Sequence, residues 1–124
     1  MFGSFVSVLA LTLCTGACAA PFAYVPNEES GTISVIDTNT DVVIKEIRAG
    51  DKPRGLAASR DGKKLYVSDQ PRNSLVVIDL EKLEPIDNIF LGESPEGVGI
   101  SPDGKWVVAA VEGSNSIAFI NTQT

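Results

Sequence analysis

Four charged side chains have the clearest capacity to bind a ligand: Lys52, Arg54, Arg72 and Glu96. Guanidinium and ammonium groups bind carboxylates and phosphates through charge-assisted hydrogen bonds, so the three cations together would suit an anionic ligand. An ion pair between Arg54 and Glu96, or plain solvation of both, explains the same residues without a ligand. A ligand-binding site at these four positions is therefore one of two open interpretations.

The sequence also limits the chemistry that is available. It contains no His, its two cysteines are Cys14 and Cys18, and Met1 is its single Met. Beyond residue 19 this excludes soft-metal sites, Cys or His nucleophiles and haem ligands of those types. No Ser-His-Asp set or phosphate-binding loop is present either. We therefore expect no catalytic residue, no metal, no cofactor and a protein that is not an enzyme.

Charge patterning argues against nucleic-acid binding. The formal net charge is −6, and acidic and basic residues are mixed along the chain. Proteins bind the phosphates of nucleic acids with clustered Lys and Arg side chains. Those that bind single strands also stack aromatic side chains on the bases. The sequence shows neither pattern. We expect no nucleic-acid partner, and the sequence does not specify another one.

The first twenty residues have the features of an export signal. Phe5–Leu13 is an apolar stretch, shorter than the roughly 20 residues that a membrane-spanning helix needs. Ala17-Cys18-Ala19 matches the small-x-small pattern that precedes a signal-peptidase cut. We predict a signal peptide over 1–19, a periplasmic or secreted mature chain and no membrane span. A lipoprotein anchored at Cys18 and a buried core strand are the alternatives.

One pattern repeats along the rest of the chain with a spacing of 42 residues and no insertion. The matching segments are Tyr24-Val25 with Tyr66-Val67, Val35-Ile36-Asp37 with Val77-Ile78-Asp79, Gly50 with Gly92, Pro53 with Pro95, Gly55 with Gly97, and Asp61-Gly62-Lys63 with Asp103-Gly104-Lys105. A third copy is partial: Asn73-Ser74 recurs as Asn115-Ser116, and Ile78-Asp79 becomes Ile120-Asn121. A period of this length is typical of repeat architectures such as solenoids and propellers.

Each copy resolves into four short strands. In the second copy these are Gly55–Ser59, Lys64–Ser68, Leu75–Ile78 and Ile86–Leu91. Leu75–Ile78 is apolar at consecutive positions, as in a strand that is covered on both faces. Pro85, before the last strand, is tolerated only at a strand start or on an edge. Four strands in about 40 residues, with no stripe of 3.6-residue period, are typical of a propeller blade.

We therefore predict an all-β fold, a partial β-propeller of about two and a half four-stranded antiparallel blades over residues 20–124. Blade 1 covers 23–49, blade 2 covers 50–91, and an incomplete blade 3 covers 92–124. About ten strands and no regular helix are expected after residue 22.

Such a fragment has two outer faces that no neighbouring blade covers. We expect these faces to carry Val25, Ile33 and Val35 in blade 1, and Val107, Ala109, Ile117 and Phe119 in blade 3. Exposed apolar faces and open strand edges promote association, so we expect self-association through them.

Most of the repeated polar residues have an architectural explanation. Asp61-Gly62 and Asp103-Gly104 supply the positive-φ turn of a tight hairpin, which explains them better than a metal loop does. Asp37 and Asp79 end their strands, where a carboxylate can accept hydrogen bonds from turn amides.

Arg54 and Glu96 differ although they occupy the same position in successive copies, just before the glycine that opens the innermost strand. The fold of a blade does not require a particular residue type at this position. In a propeller it should face the mouth of the central channel, which is why these two positions remain the site candidates.

Several segments resemble the YVTN repeat family of β-propellers. They are Val35-Ile36-Asp37-Thr38, Leu65-Tyr66-Val67-Ser68, the Gly-x-x-Pro-x-Gly turns at 50–55 and 92–97, and Ser101-Pro102-Asp103-Gly104-Lys105. From Ala23 onward, the order of segments resembles the exported propellers associated with PQQ-dependent alcohol catabolism. Members of the family run to about seven blades.

The resemblance implies a non-catalytic binding or scaffold protein outside the cytoplasm, accessory to quinoprotein (PQQ) alcohol oxidation. The alternative is a fragment of a propeller enzyme domain, similar to the d1-haem domain of nitrite reductases or to sugar lactonases. The haem domain needs axial ligands such as His, which this sequence lacks. A lactonase needs carboxylates or His clustered at the channel.

Overall fold

The computed structural model describes residues 22–124, which form ten strands. They are β1 Phe22–Asn27, β2 Thr32–Asp37, β3 Val42–Arg48, β4 Pro53–Ala58, β5 Lys64–Asp69, β6 Ser74–Asp79, β7 Glu84–Phe90, β8 Pro95–Ile100, β9 Trp106–Val111 and β10 Ser116–Asn121. A single 3₁₀ turn, Glu112–Ser114, joins β9 to β10. The predicted signal peptide lies outside the described residues.

The strands form three antiparallel sheets, which are the three predicted blades. Blade 1 has the order β1-β2-β3, blade 2 has β4-β5-β6-β7, and blade 3 has β10-β9-β8. The prediction of an all-β partial propeller with about ten strands is confirmed. Within residues 22–124, no helix is long and apolar enough to cross a membrane.

The same turn recurs in each blade because the repeat supplies residues that tolerate it. Gly31, Asn73 and Asn115 occupy equivalent positions and have φ angles of 70°, 56° and 50°. Glycine adopts this left-handed conformation freely, and asparagine does so more readily than most residues. This turn, which joins β1 to β2, β5 to β6 and β9 to β10, is thus encoded locally.

The outer strands of blades 1 and 2 share one irregularity. The β2–β3 register shifts between Val35 and Ile36, and the β6–β7 register shifts at the equivalent Val77 and Ile78. Pro85 lies beside the second of these bulges, in the edge strand β7. A proline lacks the N–H that a ladder needs, so the edge of the sheet is where it costs least.

The core lies between the blades. Ile33, Val35 and Ile47 of blade 1 pack against the face of blade 2 that carries Val76 and Ile78. The opposite face of blade 2, which carries Tyr66, Leu75 and Val77, packs against Val107 of blade 3. Leu75–Ile78 is buried at every position because blade 2 has a neighbour on each side, as its apolar run predicted.

The prediction of which residues line the open faces was wrong in four places. Ile33, Val35, Val107 and Ala109 are fully buried, because they point toward blade 2 rather than away from it. The prediction was right for Val25, Ile117 and Phe119, which are 42%, 61% and 65% exposed. Successive side chains in a strand point to opposite faces, so only every second residue can lie on an open face.

The blades converge toward one edge. The first strands of blades 2 and 3, β4 and β8, lie side by side, whereas the outermost strands β3 and β7 make few contacts. A Cβ added at Gly55 in β4 would lie 2.3 Å from the carbonyl oxygen of Glu96 and 2.8 Å from the Cα of Gly97 in β8. The inner strands therefore pack backbone against backbone, which requires glycine at this position.

Candidate functional site

Arg54 lies at the second residue of β4, on the inner edge of the fragment. Its Nε donates to Glu28 Oε1 of blade 1 at 3.1 Å, and its Nη1 donates to Glu96 Oε1 of blade 3 at 2.8 Å. Arg54 therefore links three successive blades. The ion pair with Glu96 that the sequence left open as an alternative is present.

Two further residues extend this connection. Lys52 Nζ lies 3.7 Å from Glu28 Oε2, and Gln70 Nε2 donates to Glu96 Oε1 at 2.8 Å. We call Glu28, Lys52, Arg54, Gln70 and Glu96 the rim network. Its two carboxylates balance its two cations, so it carries no net formal charge.

The rim network is partly shielded from water. The side chains of Arg54 and Glu96 are 32% and 26% exposed. Exposed ion pairs contribute about 0.2–1 kcal/mol each, and partial burial strengthens the attraction. The network thus holds the Arg54 side chain in one orientation more than it stabilises the fold.

Two polar groups of the rim network remain available to a ligand. Arg54 uses Nε and Nη1 in its ion pairs, and Nη2 has no hydrogen-bond partner among the described residues. Glu96 accepts from Arg54 and Gln70 through Oε1, while its Oε2 has no such partner in the same part of the chain. Two ion-paired residues at the junction of blades 2 and 3 therefore each keep one polar atom, a donor on Arg54 and an acceptor on Glu96, without a partner among the described residues.

Arg72 lies in a different cluster. It donates to Asp51 through Nε at 2.9 Å and through Nη2 at 3.0 Å, and its Nε lies 3.5 Å from Asp69. The Arg72 hydrogen bond holds the pKa of Asp51 below its usual range. Lys52, Arg54 and Glu96 thus come together as the sequence suggested, and Arg72 joins Asp51 instead.

Asp69 organises the loop that precedes β4. Its fully buried carboxylate accepts from the backbone N–H groups of Asp51 at 3.0 Å and Lys52 at 2.9 Å. Gly50 approaches this carboxylate so closely that a Cβ there would lie 2.2 Å from it. The Asp69 carboxylate therefore sets the path of the chain into the rim network.

The Asp-Gly pairs lie at the other end of β4 and β8, away from the rim network. Gly62 and Gly104 have φ angles of 69° and 73°. Each loop is longer than the two-residue hairpin that we expected, because β4 ends at Ala58 and β5 begins only at Lys64. Asp61 Oδ1 accepts from the Ser59 hydroxyl and from the Lys63 N–H, which hold the pKa of Asp61 below its usual range.

Sequence reasoning missed two members of the rim network, Glu28 and Gln70. These two residues and Glu112 occupy equivalent positions in the three copies. Comparing the copies at this position could have found them, since it is polar in all three and directly follows the equivalent strands β1, β5 and β9. In the described residues, no three His, Cys, Asp or Glu side chains converge to hold a metal ion.

The model of the lactonase family, described as a seven-bladed β-propeller, matches residues 17–124. The chain belongs to this family. A curated relative, the uncharacterized protein YncE of Salmonella typhi, is 48% identical over 46 residues, which is 37% of this chain and 13% of that protein. The chain therefore corresponds to a small part of this relative's length.

Solved structures agree with the family assignment. Kuenenia stuttgartiensis hydrazine synthase has 31% identity and a TM-score of 0.79, over 82% of this chain and 29% of that chain. A 6-phosphogluconolactonase candidate from Bacteroides uniformis has 25% identity and a TM-score of 0.69, over 81% of this chain and 32% of that chain. The present chain thus spans about a third of these propellers.

These comparisons correct the expectation that the protein is not an enzyme. The family is named for lactonase activity, and both solved structures carry the names of enzymes. The expectation failed because it relied on missing His and Cys residues, whereas carboxylate and guanidinium groups can also support hydrolysis. The narrower resemblance to propellers of PQQ-dependent catabolism stays a prediction.

Proposed function

We propose that this chain forms part of the substrate channel of an exported lactonase-type propeller, and that the rim network binds an anionic sugar lactone and the hydroxy acid formed from it. The observation that carries this proposal is the Arg54–Glu96 ion pair on the inner edge where blades 2 and 3 meet, which leaves Arg54 Nη2 and Glu96 Oε2 without a hydrogen-bond partner among residues 22–124. The family match and the name of the Bacteroides uniformis structure support the substrate class.

The chemistry follows from these two groups. Arg54 Nη2 would donate to the lactone carbonyl oxygen and stabilise the negative charge that develops there during attack. Glu96 Oε2 would accept a proton from the attacking water. The bond between the carbonyl carbon and the ring oxygen then breaks, the ring oxygen takes the proton back from Glu96, and the hydroxy acid is released with the Glu96 carboxylate regenerated. Glu28 and Gln70 act as positioning residues that keep Arg54 and Glu96 in place.

Binding and hydrolysis can be measured on the same chain. Calorimetric titration with 6-phosphogluconate measures binding, and acid release from 6-phosphogluconolactone measures hydrolysis. Arg54→Gln should weaken binding by about tenfold or more, the effect of losing one charge-assisted hydrogen bond. Glu96→Gln should reduce hydrolysis more than binding, because its carboxylate is needed for proton transfer.

Arg72→Gln is the matched control, since Arg72 is also an ion-paired arginine but lies outside the rim network. It should leave both measurements unchanged. Equal losses in Arg54→Gln and Arg72→Gln would indicate a nonspecific charge effect, and an absence of binding to the wild-type chain would contradict the proposal.

Export is the second part of the proposal. It is supported by the apolar stretch Phe5–Leu13 and the small residues before Ala20. Cell fractionation of the natural host should find the chain outside the cytoplasm, with its mature N-terminus at Ala20. A mature N-terminus at a lipidated Cys18 would favour the membrane-anchored alternative.

A link to quinoprotein-dependent alcohol oxidation is a second candidate function. The order of motifs from Ala23 onward favours it, because that order resembles the exported propellers of PQQ-dependent catabolism. Deletion of the gene should then slow growth on alcohols and leave growth on sugars unaffected. Equal growth of deleted and wild-type strains on both carbon sources would count against this candidate.

A further inference from the structure

A polar cavity lies between blades 2 and 3 at the end of β4 and β8 that is opposite the rim network. Blade 2 contributes Arg60, Lys64 and Tyr66 to its lining, and blade 3 contributes Asp103 and Thr122. The cavity has a volume of about 210 Å³. A water molecule occupies about 30 Å³, so this volume corresponds to roughly seven waters and suits a ligand no larger than a monosaccharide. We call this cavity the end pocket.

The Tyr66 hydroxyl is a hydrogen-bond donor that the end pocket leaves unpaired. The Tyr66 side chain is only 4% exposed and lines the pocket, and its hydroxyl has no hydrogen-bond partner among residues 22–124. Buried tyrosine hydroxyls usually find a partner. Burial and, to a smaller extent, the negative charge of Asp61 raise the pKa of Tyr66, so the hydroxyl keeps its proton and can donate to a ligand.

Two cations border the same pocket. The aliphatic part of Arg60 lies across Gly104 of blade 3, where an added Cβ would be 3.1 Å from Arg60 Cδ. Neither the Arg60 guanidinium nor the Lys64 ammonium forms an ion pair or a hydrogen bond in the described part of the chain. The other three arginines all have acidic partners, namely Arg48, Arg54 and Arg72. Arg60 is therefore held against blade 3 with its charge unmatched.

Two carboxylates complete the lining of the end pocket. In both Asp61 and Asp103, Oδ1 accepts hydrogen bonds from a serine hydroxyl and from a backbone N–H of the same turn. The serine hydrogen bonds hold the pKa of each carboxyl below its usual range, so both stay ionised near neutral pH. Their Oδ2 atoms have no partner within residues 22–124 and can accept from the hydroxyl groups of a ligand.

The equivalent interface between blades 1 and 2 is built differently. Leu80 occupies the position of Thr122 there, and it packs with Tyr24 against the buried core between those blades. The equivalents of Arg60 and Lys64 are uncharged, namely Cys18 and Phe22. Blade packing therefore does not require a polar cavity at this place, and residues specific to the second interface create it.

We propose that the end pocket is a binding site for a small carboxylic acid that bears hydroxyl groups. Arg60 and Lys64 hold the carboxylate, to which the Tyr66 hydroxyl also donates. Asp61 and Asp103 accept hydrogen bonds from the ligand hydroxyls. An inorganic phosphate fits less well, because its double negative charge would face both carboxylates. The site uses no residue of the rim network and does not depend on the lactonase proposal.

The test is a titration of the chain with D-gluconate, followed by two-dimensional ¹H–¹⁵N NMR. The Arg60 Nε–H and Gly104 N–H signals should shift and saturate. They should do so equally in Arg54→Gln, which changes the rim network and leaves the end pocket intact, so failure of one site is distinguished from failure of the other. An absence of saturable shifts at Arg60 and Gly104 would overturn the proposal.

Two further probes test the ligand class. Glucose has the hydroxyl groups without the carboxylate, and inorganic phosphate has the negative charge without the hydroxyl-bearing carbon chain. Each should bind at least about tenfold more weakly than gluconate, because each lacks one set of charge-assisted hydrogen bonds. Equal affinity for either probe would overturn the assignment of a hydroxy acid.

Substitutions then assign the binding to these side chains. Arg60→Gln should weaken gluconate binding by about tenfold or more, and Tyr66→Phe by about two- to tenfold. Thr122→Leu should prevent binding without changing any charge, because it places in the pocket the side chain that Leu80 provides between blades 1 and 2.

Lys63→Gln is the matched control for charge. Lys63 belongs to the same loop as Arg60, but its ammonium lies 3.9 Å from Glu81 and does not line the end pocket. Its substitution should leave the affinity for gluconate unchanged. Losses of the same size in Lys63→Gln and Arg60→Gln would indicate a nonspecific charge effect and would overturn the site.

Discussion

Gly55 and Gly97 occupy the same position of the repeat, but the backbone of another strand lies against Gly55 and none of the described residues lies against Gly97. Gly55→Ala therefore tests how closely the blades pack. The added methyl group would lie 2.3 Å from the Glu96 carbonyl oxygen and 2.6 Å from the Val98 nitrogen. Normal contacts to carbon are about 3.5–4.0 Å, so β4 and β8 must separate by roughly 1 Å. These are backbone atoms, which cannot move aside as a flexible side chain can.

The separation of these strands has two costs. Overpacking of this kind costs about 1–3 kcal/mol. The Ser68 hydroxyl accepts from the Gly55 N–H and donates to the Glu96 carbonyl, and loss of one such bond costs about 1 kcal/mol more. We therefore expect Gly55→Ala to lower the free energy of unfolding by about 2–4 kcal/mol, a large part of the roughly 5–15 kcal/mol typical of a domain.

Gly97→Ala is the control, because a Cβ there meets no atom of residues 22–124 within 4 Å. It should be neutral or stabilise the chain by up to about 1 kcal/mol, through the lower entropy of the unfolded state. Thermal unfolding followed by circular dichroism should show Tm lowered by roughly 10 °C or more for Gly55→Ala and not lowered for Gly97→Ala. Equal destabilisation by both changes would mean that glycine is needed by each strand itself, and would refute the close-approach argument.

Two further predictions use the repeat in the same way. Leu75→Ala should lower the free energy of unfolding, measured by urea titration, by about 2–5 kcal/mol because Leu75 is fully buried. Ile117→Ala, at the equivalent exposed position, should change it by no more than about 0.5 kcal/mol. Similar losses for both variants would contradict the conclusion that this face of blade 3 is uncovered. Hydrogen bonds from Ser59 and Ser101 lower the pKa of Asp61 and Asp103, so their stabilisation is present above the unfolded-state pKa and is lost as pH falls through that value toward the folded-state pKa. Asp61→Asn should therefore be less stable than the wild type at about pH 7 and equal to it in strong acid, and a difference in Tm that does not change with pH would contradict this assignment.

Much of the architecture could be predicted from the sequence because each signal was local and recurred. Asn73 and Asn115 fall where a left-handed turn is needed, and the apolar run Leu75–Ile78 indicated a strand with two covered faces. Because the segments repeat every 42 residues without insertions, a structural feature predicted for one blade could also be predicted for the next. The strands and their grouping into blades followed from this repetition.

The candidate site was only half predictable. The difference between Arg54 and Glu96 at one repeat position identified the inner edge. A comparison of the copies could have identified Glu28 and Gln70 as equivalent polar residues, but the sequence could not show which residues they contact, because both contacts cross from one blade to the next. It also grouped Arg72 with Arg54, although Arg72 pairs with Asp51.

The sequence by itself determined the strands, their turns and their division into blades, because those features depend on residues close together in the chain. Which face of each strand is buried was decided by the tertiary structure: Ile33 and Val107 are covered by blade 2, while Phe119 is left exposed. The contacts of Arg54 were decided there as well, since its partners lie 26 and 42 residues away and meet it only when three blades pack around a common inner edge.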